Sequence, residues 1–321
     1  MRPLTAESFE SRRNLRLCRR GAERQREQRI NSISATSAPL PLCGKPNIPK
    51  PDIPEMSFAN RCKRPKLNPM NLADLVSHLD TELRIAEIAD YSNALNGLQL
   101  ENREGKVTKI VAAVDATLPV IKKAVAAGAD LLIVHHGMFW TGLQTWTGPV
   151  FQKIKTALDA GLAVYSCHLP LDVHPTLGNN AQITQALGLT PTGGFLEYKG
   201  NAVGVTVNHA MPVDDLVAQF QSVLGGSPVH VCHGGPKTTR KIGISSGGSG
   251  SEVAAAAKAG IDTFITGEGP HWSYTLAEEI GVNLIYGGHY ATETFGVKAL
   301  SAYIEQKFGI PWEFVDHPTG L

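Results

Sequence analysis

Lys109–His136, KIVAAVDATLPVIKKAVAAGADLLIVHH, aligns without gaps to Lys241–Glu268, KIGISSGGSGSEVAAAAKAGIDTFITGE. Lys109/Lys241, Ile110/Ile242, Ala124/Ala256, Ala127/Ala259, Gly128/Gly260 and Asp130/Asp262 coincide. Each copy reads as a strand, a turn, a helix and a second strand, so the register preserves a βαβ unit. Ala-rich helices resemble one another by composition, which is the alternative to a true duplication; we read a duplication. Further on, His168-x-x-x-Asp172 matches His289-x-x-x-Glu293 at a shift of 121 residues, each following a strand, through Tyr165 and Tyr286. The repeat predicts two related α/β lobes, each presenting polar residues at the carboxyl ends of its strands, where open α/β sheets place ligands.

Outward from this block the alternation continues. Strands are expected at Val107–Val114, Leu131–Val134 and Ala163–Ser166, with helices at Leu118–Ala127, 149–160 and 180–187. A second series runs strand 202–207, helix 213–224, strand 240–245, helix 251–259, strand 263–266, helix 271–280, strand 282–286 and helix 292–307. Short apolar runs separated by helices indicate an α/β fold. Leu72, Leu75, Val76 and Leu79 follow Asn71 at helical spacing, with Asn71 as N-cap. The folded domain is therefore expected over residues 70–321.

Residues 1–69 differ in kind. They hold 15 Lys and Arg against 6 Asp and Glu, whereas the remainder holds 15 against 23. An Arg-rich stretch, Arg12 to Arg29, precedes a Ser/Pro-rich one, Ser32 to Pro54, with few large apolar residues, so the segment reads as a disordered basic tail. A transit peptide, a solvated interaction arm, and an upstream start codon with Met56 or Met70 as the true first residue are the competing explanations; Glu7, Glu10, Glu23 and Glu27 count against the first. The third is the preferred one. The acidic body argues against gripping a nucleic-acid backbone. Cys18, Cys43, Cys62, Cys167 and Cys232 show no paired spacing, which suggests a reducing, cytoplasmic setting. No apolar run approaches the roughly 20 residues of a membrane span, and no secretory h-region is evident.

Chemistry concentrates at strand ends. His135 and His136 close an apolar strand before Gly137, and where the chain turns both imidazoles can reach one cavity. Neutral imidazole is a common ligand for zinc, iron, manganese or nickel; the bland alternative is two loop histidines satisfied by water. In His289-Tyr-Ala-Thr-Glu293 the four-residue spacing puts imidazole and carboxylate on one helical face, and a carboxylate can bridge two ions. Glu293 in a first turn favoured by the helix dipole is the alternative there. His168-Leu-Pro-Leu-Asp172 reads as a strand-end loop because Pro170 breaks a helix interior, with Asp172 a further oxygen donor and His168 orienting ligands from behind. The loop Ser245–Ser251 suits a phosphate at a helix start but lacks a P-loop lysine, so a tight turn is the expectation. Glu268, in register with His136, should face the same cleft, and Trp140 and Trp146 could line it.

At these residues the chain resembles the GTP cyclohydrolase I type 2 homologues, also called NGG-interacting-factor-like dinuclear metal proteins. The matching segments are Ile133-Val-His-His-Gly-Met-Phe-Trp140, His168-Leu-Pro-Leu-Asp-Val-His-Pro175 with Gly178-Asn-Asn180, Thr266-Gly-Glu268, and Gly288-His-Tyr-Ala-Thr-Glu293. The resemblance implies His135, His136, Asp172, His289 and Glu293 as ligands of two divalent cations, Glu293 bridging. It also implies two α/β lobes with the metals between them and a toroidal homohexamer. The short interval from Asp172 to His289 implies no inserted domain. Phe139-Trp140 follows His-His-Gly where many relatives carry His-His-Pro, a difference that leaves the ligands intact. The implied activity is metal-assisted hydrolytic ring opening of a purine nucleotide such as GTP, with Glu268 and His168 shuttling protons. A metal-dependent oligomeric scaffold or regulator without turnover is the alternative, and a ring-shaped nucleic-acid clamp a weaker one.

Overall fold

The computed structural model of the chain describes residues 69–321. The expectations for the basic tail fall on residues 1–68, outside those described. The described part opens with β1 (Met70–Asn71) and the helix Leu72–Glu82. Asn71 Oδ1 accepts hydrogen bonds from Ala73 N at 2.8 Å and Asp74 N at 3.2 Å, the N-cap arrangement that satisfies otherwise orphaned helix-start donors. Leu72, Leu75 and Leu79 turn inward, as their spacing requires.

Two sheets follow. The first is built from β2 (Gly97–Leu100), β4 (Ile110–Asp115), β5 (Leu131–His136), β6 (Ala163–Ser166) and β13 (Trp312–Phe314), in the order β13-β4-β5-β6-β2; β3 (Lys106–Val107) pairs instead with β1. The strands β13, β4, β5 and β6 are parallel and β2 runs against β6. The second sheet is built from β7 (Gly193–Tyr198), β8 (Asn201–Asn208), β9 (His230–His233), β10 (Lys241–Ile244), β11 (Thr263–Thr266) and β12 (Asn283–Tyr286), in the order β7-β8-β10-β11-β12-β9. Its three central strands, β10, β11 and β12, are parallel and flanked by antiparallel neighbours. The unexpected strands β2, β7, β9 and β13 lie at sheet edges, where half-exposed short segments carry little apolar periodicity.

The identities shared by the two sequence copies have matching structural roles. Lys109 Nζ donates to Ala127 O at 2.7 Å and Lys241 Nζ to Ala259 O at 2.8 Å, so each lysine caps the carboxyl end of the following helix. Gly128 and Gly260 end those helices at φ +71° and +76°, a conformation that glycine adopts without strain. Asp130 accepts from Thr108 N and Lys109 N, and Asp262 from Arg240 N and Lys241 N, tying the second strand of each unit to the start of the first. Composition alone does not repeat a contact.

The tyrosine match is one residue out of register. Val134 pairs with Ser166 and its counterpart Thr266 with Tyr286, so Ser166, not Tyr165, stands where Tyr286 stands. Tyr165 is fully buried and donates to Asp80 at 2.9 Å. The additional residue of the second copy falls in the turn Gly287–Gly288.

Helices cover both faces of both sheets, and two of them change sides. Val297, Leu300 and Ile304 of the last helix, His289–Phe308, pack with Ile110, Leu131 and Ala163 of the first sheet, although this helix leaves the second sheet from β12. Conversely Ile183 of the helix Asn179–Ala186 and the following Leu187 join Ile244 and Ile265 of the second sheet. The crossing brings β12's carboxyl end against that of β5.

Candidate metal centre

His135 and His136 both reach the cavity although both still belong to β5, because the strand ends there and the chain turns at Gly137; their ring centroids lie 4.9 Å apart. The last helix begins at His289, so His289 and Glu293 share a face one turn apart, with Nε2 to Oε1 at 3.1 Å. Glu293 Oε1 is 3.5 Å from His135 Nε2, and Oε2 is 3.4 Å from His136 Nε2. Asp172 Oδ2 is 3.6 Å from His135 Nε2. All five residues expected from the sequence thus meet.

Asp172 arrives differently from expected. Leu169–Asp172 is a single helical turn with Pro170 in its first turn, where the missing N–H is no loss; the reading of Pro170 as a barrier applies only to a helix interior. Gly178 closes this turn, and a Cβ there would fall 2.5–2.7 Å from the carbonyl oxygens of Leu171, His174 and Asp172. Asn179, fully buried, donates to Asp172 Oδ1 at 2.8 Å and accepts from Gly296 N at 2.6 Å, tying the turn to the last helix. Asn180 Oδ1 accepts from Ser246 N at 2.7 Å.

Each imidazole is held from behind at Nδ1: His135 by Cys167 O at 3.0 Å, His136 by Asp115 Oδ1 at 2.9 Å, His289 by Glu268 Oε1 at 2.8 Å and His168 by Asp90 Oδ1 at 2.9 Å. Carbonyl and carboxylate oxygens only accept, so Nδ1 carries the hydrogen and Nε2 is left for the centre. His168 shares its neighbourhood with His135 and His136, one ring nitrogen of each lying within 4.8 Å of the others; His136, His289 and Glu293 form a second such group. Trp140 lies against both His136, tilted by 33° at 4.4 Å between centroids, and His168, edge-on at 4.6 Å. Trp146 is 61% exposed, and His271 is also exposed.

The Ser245–Ser251 loop is a turn, but it is also part of this site. Gly247 has φ +66°, its N–H bonds Thr292 Oγ1 at 3.0 Å, and a Cβ on it would collide with Glu293 Oε1. The sequence reading missed this role and those of Asp90 and Asp115. Asp115 and Gly247 occupy the same place in the two repeats, each at the carboxyl end of a first strand, and the strand-end rule applied to β4 and β10 would have found both.

The electrostatics follow from burial and charge. Burial opposes protonation of His135, but the carboxylates of Asp172 and Glu293 outweigh it and push its pKa up to about 9. Burial likewise opposes charging His289, and Glu293 and Glu268 raise it to about 9. Glu293 is buried too, which disfavours its charge, yet His135 and His136 hold it well below the usual carboxylate range. The donor set fits divalent cations on two observations. His135 Nε2 and Glu293 Oε2 are buried without a hydrogen-bond partner among the described residues. The four donor separations of 3.1–3.6 Å match the about 3.4 Å between ligands held 2.0–2.2 Å from one tetrahedral ion. A cleft of about 860 Å³ borders Glu268 but lies against Ala291, Phe295 and Lys298, a helix face turned away from Glu293.

Comparison with known proteins agrees with this architecture. The family model Duf34/NIF3 (NGG1p interacting factor 3) matches residues 70–319. A Deinococcus radiodurans protein described as a GTP cyclohydrolase 1 type 2 homolog is 42% identical over 251 residues, 77% of this chain and 94% of its own. The solved structure of protein ybgI, of unknown function, superposes with a TM-score of 0.73 at 34% identity, covering 78% of this chain and all of that one. TTHA1606 from Thermus thermophilus gives 0.71 at 37% identity, with the same coverage. The chain belongs to the Duf34/NIF3 family.

Proposed function

We propose that the protein binds two divalent cations and is a metal-dependent hydrolase of the GTP cyclohydrolase I type 2 kind, opening the ring of a purine nucleotide. The observation that carries the reading is that His135 Nε2 and Glu293 Oε2 are buried without a hydrogen-bond partner among the described residues, His135 Nε2 standing 3.5 Å from Glu293 Oε1 and Glu293 Oε2 3.4 Å from His136 Nε2. His136, His289 and Glu293 would hold one cation; His135 and Asp172 would hold the other, with Glu293 between them and His168 beside it. Cations held there supply Lewis acidity and lower the pKa of a water toward neutrality. The chain's own contribution is positional: Nδ1 of each imidazole is anchored, Trp140 covers one side, and Gly247 brings backbone against Glu293.

The side formed by His289 and Glu268 is the open one, their side chains being 29% and 40% exposed. Glu268, with Oε1 on His289 Nδ1, is suited to pass protons between this mouth and solvent. The relatives' description as GTP cyclohydrolase 1 type 2 homologs supports the reaction class. Self-assembly, as a homohexamer, belongs to the same proposal; the exposed Leu143, Trp146, Phe151 and Leu158 offer apolar surface for it. Among the described residues no helix is long and apolar enough to cross a membrane.

The test is metal analysis combined with GTP turnover, comparing wild type with Glu293→Gln and His136→Ala. Both variants should lose bound metal and activity together. Turnover at the wild-type rate in both would end the hydrolase proposal, and metal retention without turnover in wild type would favour a scaffold.

A further inference from the structure

Asp90 lies in the segment between the helix Leu72–Glu82 and β2, far in sequence from every residue of the centre. Its side chain is only 5% exposed, and all of its contacts serve the centre's flank. Oδ1 stands 2.9 Å from His168 Nδ1 and accepts from Tyr91 N at 2.6 Å. Oδ2 accepts from Leu169 N at 2.9 Å and Asn96 Nδ2 at 2.8 Å. Asn96 Oδ1 in turn accepts from His168 N at 2.7 Å, so Asp90 and Asn96 grip His168 by side chain and backbone at once. His168 is N-terminal to the turn that carries Asp172, and its own backbone is irregular, at φ −96° and ψ −108°.

The segment is also fixed from the other lobe. Lys199 Nζ, in the β7–β8 turn, donates to Asp90 O at 2.9 Å, and the Tyr91 and Tyr198 rings lie 5.1 Å apart. Asn93 Nδ2 bonds Trp140 O, below the indole that covers His136 and His168. A carboxylate desolvated to this extent is costly unless its lone pairs are used, and here each oxygen is used by a group that orients His168 or the Asp172 turn. Asp115 stands in the same relation to His136, and Glu268 to His289.

We propose that Asp90 is a positioning residue of the metal centre: its carboxylate fixes His168 as the Nδ1–H tautomer, with Nε2 aimed at the space shared with His135 and His136. The inference rests on the metal-centre reading for its consequence, but its first readout needs no metal. Removing a carboxylate that orients the groups around a metal centre, here His168 and, through Leu169 N, the turn that carries Asp172, costs about 10–100-fold in metal affinity.

The test uses the full chain with Asp90→Ala, and Lys199→Ala as the variant that loosens the same segment without touching the carboxylate. In chelator-treated protein, side-chain ¹H–¹⁵N correlation spectra should show His168 as the Nδ1–H tautomer in wild type and Lys199→Ala, and as a tautomer mixture in Asp90→Ala. The signals of His136 and His289 should stay in place in all three. Zinc affinity, read by competition with a chromophoric chelator, should fall about 10–100-fold in Asp90→Ala only. An unchanged His168 tautomer in Asp90→Ala, or an equal loss in Lys199→Ala, overturns the proposal. Should Asp90→Ala fail to fold, Asp90→Leu carries the test, since it keeps most of the volume and offers Nδ1–H no acceptor; wild-type tautomer and affinity in that variant overturn the proposal too. If wild type binds no zinc while the tautomer shift still appears, the metal-centre reading fails and the assignment of Asp90 to His168 stands.

Discussion

Replacing Gly247 with alanine tests whether the centre depends on a backbone approach that only glycine permits. At φ +66° a left-handed backbone costs an L-residue about 1–2 kcal/mol. The new Cβ would also strike Glu293 Oε1 and stand 3.4 Å from His289 Nε2. Glu293 is not a flexible surface side chain that can swing away, because it is buried among His135, His136 and His289. Overpacking of this kind adds about 1–3 kcal/mol. The sum, about 2–5 kcal/mol, lowers Tm by roughly 4–20 °C for a domain of this size. Displacing Glu293 also weakens zinc binding, because that carboxylate serves both groups of donors. Gly248 supplies the control: its φ is −90°, and a Cβ there would meet His289 Cε1 at 3.6 Å, an ordinary contact. Calorimetric Tm and chelator-competition affinity should therefore separate two neighbouring glycines, with Gly248→Ala close to wild type. Equal damage in both variants, or a Gly247→Ala protein that melts and binds zinc as wild type does, refutes the reasoning.

Asn179→Ala removes the buried link between Asp172 and Gly296 N, leaving a main-chain donor and a carboxylate oxygen unserved; the expected loss is about 2–4 kcal/mol by urea denaturation, with weaker zinc binding. pH acts in opposite directions on the metal-free and metal-loaded protein. His135 and His289 have folded-state values raised to about 9, so the stability they lend is fully present below about 6.5, their ordinary value, and is lost as pH rises through 9. The depressed Glu293 contributes above its ordinary value of 4.5 and loses that contribution on acidification. Chelator-treated protein should be less stable at pH 9.5 than at pH 6, while zinc affinity rises over the same interval because protons leave the donors; urea midpoints and chelator competition at the two pH values check both signs, and a metal-free protein more stable at the higher pH contradicts the assignment.

The strands that build the site were legible because they are buried on both faces. LLIVHH declares both a parallel core strand and the two donors at its end. The pairing of late His289 and Glu293 with early His135 and His136 was implied by the family resemblance, whereas the repeat by itself placed Glu268 in the cleft of His136. What was not legible depends on contacts that no local pattern encodes. Asp90 and His168 are 78 residues apart and meet through an irregular segment. Gly247 was recognisable as a turn residue, but nothing near it in sequence names Glu293 as the group it accommodates. Pro170 misled because the same residue that ends a helix interior is well suited to a first turn. The edge strand β13 escaped because three residues are too few for a period.

The crossing of the last helix explains why the donors stand where the lobes meet. His135 and His136 are anchored in the first sheet, whereas His289 and Glu293 leave the second and are carried by a helix whose remaining length is buried on the first. The charges gathered there are unbalanced by side chains alone. Asp172 and Glu293 face the centre, while Asp90, Asp115 and Glu268 stand behind the imidazoles, all as potential anions. Without cations, protons on His135 and His289 balance the two inner carboxylates, which is the physical content of their raised values. Two divalent cations would replace those protons and add charge that the three outer carboxylates are placed to offset through Nδ1–H. On the proposed reading the outer carboxylates would therefore serve twice, orienting the imidazoles through Nδ1–H and offsetting the positive charge that cations at this seam would add.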